Sequence, residues 1–240
     1  MVSETPRTVL VTGATRGIGR AAVQALAAHG HTVLLGARDL QRGKAAAGEI
    51  PGEVHAVQID VTDHDSIAAA ADRISREYGR LDALVNNAGI NVGYLDKPSK
   101  SHLEDFRSVY GTDVFGVVDV TLTMLPLLEG SAAPRIVNVS SFRGSLGSAE
   151  RWVGPWSTAY GTAKSALNAI TVHFARELGK RGFAVTTVSP GHVATDLTGG
   201  NAALTPEEGA RTIVALAVAA TATATATATA GVVETHSSQA

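Results

Sequence analysis

Short runs rich in Val, Leu and Ile alternate along this 240-residue chain with stretches of helical periodicity, and that alternation narrows the choice of fold more than any other feature. The runs cover residues 8–12, 32–36, 54–59, 83–86, 135–139 and 184–189. They read as apolar on both faces, which is the pattern of strands buried in a parallel sheet. Helical patterns fill 17–28, 40–49, 65–78, 101–128, 158–180 and 205–219. Within 65–78, Ile67, Ala70, Ala71, Ile74 and Tyr78 form one stripe. The last pattern opens with Thr205-Pro206-Glu207-Glu208, a capping box with Pro at the first helical position. Strand and helix in this order predict a Rossmann-like doubly wound α/β fold: a parallel sheet of about seven strands with helices on both faces. Gly231-Val232-Val233 would add the final short strand. Such sheets bind ligands at the carboxyl ends of their strands.

Apolar residues make up 45% of the chain, enough for a full core, and no linker or shift in composition divides it. One domain over 1–240 is therefore expected. A formal charge of -2 without a long basic run speaks against a nucleic-acid partner. With no cysteine, a disulfide framework and a thiolate metal site are excluded, and the eight histidines show no metal-ligand spacing. No signal peptide is visible before the first strand, and no uninterrupted apolar run reaches membrane length, so a cytoplasmic protein with no membrane partner is the expectation. Residues 219–230 are a low-complexity Thr/Ala alternation. Its period of two fits a strand but its small residues do not, so a loop or a continuation of the last helix fits as well.

Between the first strand and the first helix stands Gly13-Ala14-Thr15-Arg16-Gly17-Ile18-Gly19. Glycines let the backbone turn tightly and approach a pyrophosphate, and a helix N-terminus favours its charge. The second strand ends in Leu35-Gly36-Ala37-Arg38. A carboxylate here would suit the ribose 2′-hydroxyl of NAD, whereas a nearby Arg suits a 2′-phosphate. Arg38 and Arg16 offer two planar guanidiniums, which points to NADPH (NADP+) over NADH. Asp39 complicates this, because it could swing toward the ribose. Further on, Tyr160 and Lys164 lie four apart in a helical run and so share a face. A cation beside a phenol favours the phenolate, so Lys164 is expected to lower the Tyr160 pKa and give a proton donor usable near neutral pH.

Taken together, these pieces resemble the short-chain dehydrogenase/reductase family, from Thr8 to about Val233. The resemblance runs through Thr12-Gly13-Ala14-Thr15-Arg16-Gly17-Ile18-Gly19, Asp60-Val61, Asn86-Asn87-Ala88-Gly89, Asn138-Val139-Ser140-Ser141, Tyr160-Gly161-Thr162-Ala163-Lys164 and Pro190-Gly191-His192-Val193-Ala194-Thr195. Within the family the chain is similar to NADPH-dependent carbonyl reductases, through Arg16, the Ala37-Arg38-Asp39 turn and a lengthened Ser-to-Tyr segment. The resemblance implies a cofactor cradle of Gly13, Thr15, Arg16, Gly17, Ile18 and Gly19. It places Arg38, Asp60 and Val61 at the adenosine, and Asn87, Ala88 and Gly89 along the adenine-ribose side. Pro190, Gly191, Val193 and Thr195 would hold the nicotinamide. Tyr160 would donate the proton, Lys164 would also bind the nicotinamide ribose, and Ser141 would stabilise the substrate oxygen, leaving Ser140 to local backbone bonding.

One position departs from the family's pattern. Thr112-Asp113-Val114-Phe115-Gly116 puts Asp113 where the family carries an Asn that bends a helix and supports a proton relay beside the lysine. An ionised Asp113 would support the Lys164 ammonium and weaken its pull on Tyr160; a protonated one could still donate a hydrogen bond. Eighteen residues separate Ser141 from Tyr160, more than the family usually has, and they include Phe142, Arg143, Trp152 and Trp156. These could form a substrate lid or pack the loop onto the core. Residues 91–97, with Tyr94, and 196–203, with Gly199-Gly200, would supply other pocket walls. His192 would edge the substrate site or lie on the surface. The expected activity is reduction of a small-molecule ketone or aldehyde, reversible as alcohol oxidation, by a monomer or homo-oligomer. The alternatives are a 3-oxoacyl-carrier-protein-type reductase and a non-catalytic NADPH-sensing regulator.

Overall fold

The computed structural model describes residues 6–93, 95–147, 155–200, 202–219 and 233–234. Strands β1 Thr8–Val11, β2 Thr32–Ala37, β3 Val54–Gln58, β4 Ala83–Asn86, β5 Arg135–Val139, β6 Ala184–Ser189 and the two-residue β7 Val233–Glu234 form one sheet. Its order is β3-β2-β1-β4-β5-β6-β7, and every neighbouring pair is parallel. The helices are α1 Gly17–Ala28, α2 Leu40–Gly48, α3 His64–Tyr78, α4 Leu103–Tyr110, α5 Gly116–Leu128, α6 Thr158–Leu178 and α7 Pro206–Val218. The expected doubly wound architecture is the observed one. The chain order reverses between β1 and β4, which opens a crevice at the carboxyl ends of those strands.

Strand residues alternate between two cores, one on each face. Val9, Val11, Val33, Leu35, Val85 and Val137 pack with Val23 and Leu26 of α1 and Ile213 of α7. Leu10, Leu34, Leu84 and Ile136 turn the other way, onto Ile67 and Ile74 of α3 and Val120, Met124 and Leu128 of α5. At ~25 cal/mol per Å² of apolar surface removed from water, this two-sided burial is the main force holding the sheet. It also explains the unbroken apolar runs: a strand covered on both faces has no solvent side to mark with polar residues.

The pattern predicted as one helix over 101–128 is interrupted. Between α4 and α5 lies a single π-helical turn, Gly111–Phe115. Gly116 permits it to settle: a Cβ there would lie 2.5 Å from the Val61 carbonyl oxygen. The turn leaves Phe115 65% exposed and buries Asp113 completely. Helical residues Leu103–Leu128 are long and apolar enough by composition to cross a membrane, although Asp113 and Asp119 break the run, so no uninterrupted apolar run of that length is present in it. Half of the most apolar window is buried inside the fold, where α5 supplies Val120, Met124 and Leu128 to the core. The tract 219–230, apart from Ala219, and the Gly231-Val232 start of the expected last strand lie outside the described residues, as do Tyr94 and Trp152.

Candidate active site

The crevice between β1 and β4 begins with the glycine turn. Gly13 (φ +62) and Gly17 (φ +56) hold left-handed conformations that favour glycine. A Cβ on Gly13 would lie 2.8 Å from Ala88 Cα, and one on Gly19 would lie 2.4 Å from Asn87 Nδ2. These glycines let the loop close against the segment after β4. Arg16 precedes α1 in extended conformation without capping it through its side chain, and the first turn of α1 carries no acidic residue. The N–H groups that open α1 therefore face the crevice as an anion site. The Thr12 hydroxyl pins the other side, accepting from the Asn87 and Ala88 N–H groups at 3.0 and 3.1 Å. Asn87 Nδ2 donates back to the Thr12 and Gly13 carbonyls at 2.9 and 3.1 Å.

Two cavities follow this crevice. One, of about 290 Å³, is lined by Gly13, Arg16, Gly17, Ile18 and Gly19 with Asn87, Gly89 and Thr195. The second, of about 260 Å³, is lined by Thr15, Arg16, Arg38, Asp60, Val61, Ala88 and Gly89. Polyanion-binding backbone beside a pocket with two arginines and a carboxylate fits a nicotinamide dinucleotide. Asp60 is oriented by Thr62, whose N–H and hydroxyl donate to Oδ1 at 3.0 and 2.7 Å. Asp39 faces the other way: its Oδ1 accepts from the Gln41 and Arg42 N–H groups at 2.9 and 3.1 Å and caps α2, so its suggested swing toward the ribose is not the observed arrangement. Arg38 is exposed at the pocket edge. Arg16, which lines both cavities, bridges the crevice to Asp196 at 2.6 Å.

A third cavity, of about 490 Å³, brings together Ser141, Tyr160, Pro190, Gly191, Val193 and Thr195 with Ile18, Asn91, Phe142, Arg143 and His192. Gly144 sets Ser141 in place: a Cβ there would lie 2.7 Å from the Lys164 carbonyl carbon, so only a glycine lets the short helical turn Phe142–Gly144 press onto α6. Ser141 and the Tyr160 phenol line this cavity together. The expected local backbone role of Ser140 is corrected, since its hydroxyl donates instead to the Asn168 side chain at 2.6 Å. Asn168 Nδ2 in turn donates to the Gly144 carbonyl at 3.2 Å. On the far wall, Ser157 donates to Asn91 Oδ1 at 2.8 Å. The segment from Val193 is tied down by a parallel bridge to Leu204, and Gly199 and Gly200 both hold positive φ. Trp156 is half exposed and does not line this cavity.

Beneath Tyr160, Lys164 Nζ lies 5.4 Å from the phenol ring centroid and donates to the Val139 carbonyl at 3.0 Å. It also lies 3.0 Å from Asp113 Oδ2, an ion pair with almost no exposure to solvent. The other Asp113 oxygen accepts the Ile90 N–H at 2.9 Å. Burial pushes the Asp113 carboxyl up, against the pull of Lys164 and that N–H. Burial alone would lower Lys164, but Asp113 and Tyr160 outweigh it and hold the ammonium above its ordinary value. For Tyr160 the expectation reverses. Burial pushes the phenol up and Asp113 adds to that, and Lys164 and the neighbouring Ser141 do not overcome them. The buried carboxylate cancels much of the cation's effect, an offset a neutral amide would not supply.

The chain matches the family model for short chain dehydrogenases over residues 7–205 and belongs to that family. It is 37% identical over 233 residues to a short-chain dehydrogenase of Penicillium roqueforti, covering 90% of each chain. Among solved structures it is similar to salutaridine reductase from Papaver somniferum, at 29% identity and a TM-score of 0.77, covering 88% of this chain and 95% of that one. It is also similar to a 3-ketoacyl-(acyl-carrier-protein) reductase from Brucella melitensis complexed with NADH, at 26% identity and a TM-score of 0.78, covering 88% and 90%. An oxidoreductase that uses a nicotinamide cofactor is the class to which the chain belongs.

Three contributors were not singled out from the sequence: Thr12, Gly144 and Asn168. Asn168 had a legible signal, since it continues the four-residue spacing of Tyr160 and Lys164 along α6. Thr12 opens the glycine motif but its role was not visible, and Gly144 had no signal, because their partners lie 75 to 76 and about 20 positions away.

Proposed function

We propose that the protein reduces a ketone or aldehyde to an alcohol with NADPH, Tyr160 giving the proton to the carbonyl oxygen. The observation that carries this is the convergence of Ser141 and Tyr160 on one cavity, with Lys164 directly beneath the phenol. When bound, the nicotinamide supplies the hydride that reaches the carbonyl carbon. The substrate oxygen would sit between the Ser141 hydroxyl and the Tyr160 phenol. As negative charge grows on that oxygen, the phenolic proton moves to it and completes the alcohol, leaving a phenolate. Lys164 stabilises that phenolate electrostatically, and a proton from solvent restores the phenol. Pro190, Gly191, Val193 and Thr195 orient the nicotinamide end, and the N-terminus of α1 with Gly13, Gly17 and Gly19 takes the pyrophosphate. Arg38 and Arg16 are the residues for a 2′-phosphate, which is the ground for preferring NADPH over NADH.

The test follows NADPH oxidation with a panel of neutral ketones and aldehydes, repeated with NADH. Turnover should favour NADPH, and Tyr160→Phe should abolish turnover while NADPH still binds. Binding without turnover of any carbonyl would replace this proposal with the sensor. Turnover confined to carrier-bound 3-oxoacyl groups would replace the free carbonyl substrate.

A further inference from the structure

The cavity in front of Ser141 and Tyr160 is lopsided in charge. Arg143 and His192 line it, and none of its described lining residues is a carboxylate. Among the described residues the other cation near the phenol is Lys164, and it is already matched by Asp113. Arg143 has no such match among the described residues. One of its nitrogens donates to the Pro155 carbonyl at 2.8 Å, and the guanidinium carbon stands 5.7 Å from the Phe142 ring centroid. A guanidinium carries five N–H donors, so these two contacts steady the group and leave donors for a ligand. Its backbone is steadied as well, because Arg143 N–H donates to Ser141 Oγ at 3.2 Å. The cation is thus fixed two residues from the serine that contacts the substrate oxygen, and it acts electrostatically on Tyr160 itself.

We propose that the substrate is a short carbonyl compound bearing an anionic group, an oxo acid, whose carboxylate is held by Arg143 while its carbonyl oxygen meets Ser141 and Tyr160. This deepens the reductase proposal and rests on it. The fork of an arginine matches a carboxylate with two parallel hydrogen bonds, which fixes orientation as well as affinity. Arg143 and Ser141 share one turn, so the proposed substrate is a short one that spans from the guanidinium to the serine. His192, on the loop after β6, adds a second nitrogen donor to the same cavity. A neutral ketone would offer the remaining Arg143 donors no charged acceptor, and the missing charge-assisted contact is what sets the preference.

The experiment measures kcat/KM with saturating NADPH for 3-oxobutanoate and 4-oxopentanoate, each against its methyl ester. The expected result is an acid favoured over its ester by about tenfold or more, as a charged hydrogen-bonded contact allows. In Arg143→Gln that ratio falls by about tenfold, with Arg143→Lys between the two. Esters reduced as well as or better than the acids by the unaltered protein would overturn the inference, as would an Arg143→Gln variant that keeps the ratio. The native comparison decides even where the Gln variant does not fold. Esters and neutral ketones reduced with both acids refused would sink this inference and leave the reductase standing. No reduction of any carbonyl would sink the reductase proposal, and this one with it.

Discussion

Replacing Asp113 by Asn removes a buried charge while keeping an oxygen for the Ile90 N–H. Lys164 Nζ lies 5.4 Å from the Tyr160 ring centroid. At an effective dielectric of about 20, its attraction for a phenolate at that distance is ~3 kcal/mol. Asp113 Oδ2 is 3.0 Å from the same nitrogen, so it stands no farther than about 8 Å from the ring and repels the phenolate by ~2 kcal/mol or more. Most of the cation's benefit is therefore cancelled, and burial, the largest influence on the phenol, pushes the Tyr160 pKa up. An interaction of ~2 kcal/mol is worth more than tenfold in a protonation equilibrium. In Asp113→Asn the phenol should ionise at lower pH. The proposed reduction needs the phenol, so the alkaline fall of kcat/KM should begin at lower pH than in the parent. Oxidation of the alcohol needs the phenolate, so its rise should also move to lower pH, giving the variant the faster oxidation near neutrality. The assay is a pair of pH–kcat/KM profiles in both directions, with thermal unfolding to verify the fold. Profiles that overlay the parent's in both directions would refute the electrostatic reasoning.

Other perturbations probe the frame around the site. Thr12→Val strands the part-buried Asn87 and Ala88 N–H groups, at about 1 kcal/mol for each; NADPH titration should show weaker binding, and unchanged affinity would dismiss the hydroxyl as an organiser. Gly116→Ala forces a Cβ within 2.5 Å of the Val61 carbonyl oxygen and should cost about 1–3 kcal/mol in denaturant unfolding, so a neutral result would contradict the close approach. At the opposite end of the sheet, burial would raise the Asp82 carboxyl, but Ser131, Thr8 and Arg80 hold it below the usual range. The stability this lends is present above the ordinary carboxylate range and lost as pH falls through the depressed value. Asp82→Asn should therefore be less stable than the parent near neutrality, by about 1–3 kcal/mol, with the gap closing in strong acid.

The fold was legible because each strand announces itself by local composition, as Leu10, Leu34 and Leu84 do within their runs. The glycine turn was legible for a similar reason, since Gly13 and Gly17 sit directly between β1 and α1. Chemistry that depends on distant pairs was harder to see. Asp113 stood out as a departure, yet whether it would meet Lys164 directly depended on helix phase. The Tyr160 pKa was misjudged because the Lys164 spacing is local, whereas burial and the Asp113 charge come from the assembled protein. Arg16 looked like a dedicated phosphate ligand, and only the folded chain brings Asp196 across the crevice to meet it.

The π turn at Gly111–Phe115 gives this family member a mode of change that substitution cannot reach. A helix advances about 100° per residue, so one added or lost residue re-aims everything beyond it. Removing a residue from the turn would restore regular α geometry and swing either Asp113 or the start of α5 away from its present bearing. The carboxylate under Lys164 and the apolar face of α5 on the sheet are thus compatible only because one residue is in surplus. A single codon inserted or deleted here would change the buried charge pair and the packing of α5 together, whereas a substitution at Asp113 changes the charge alone.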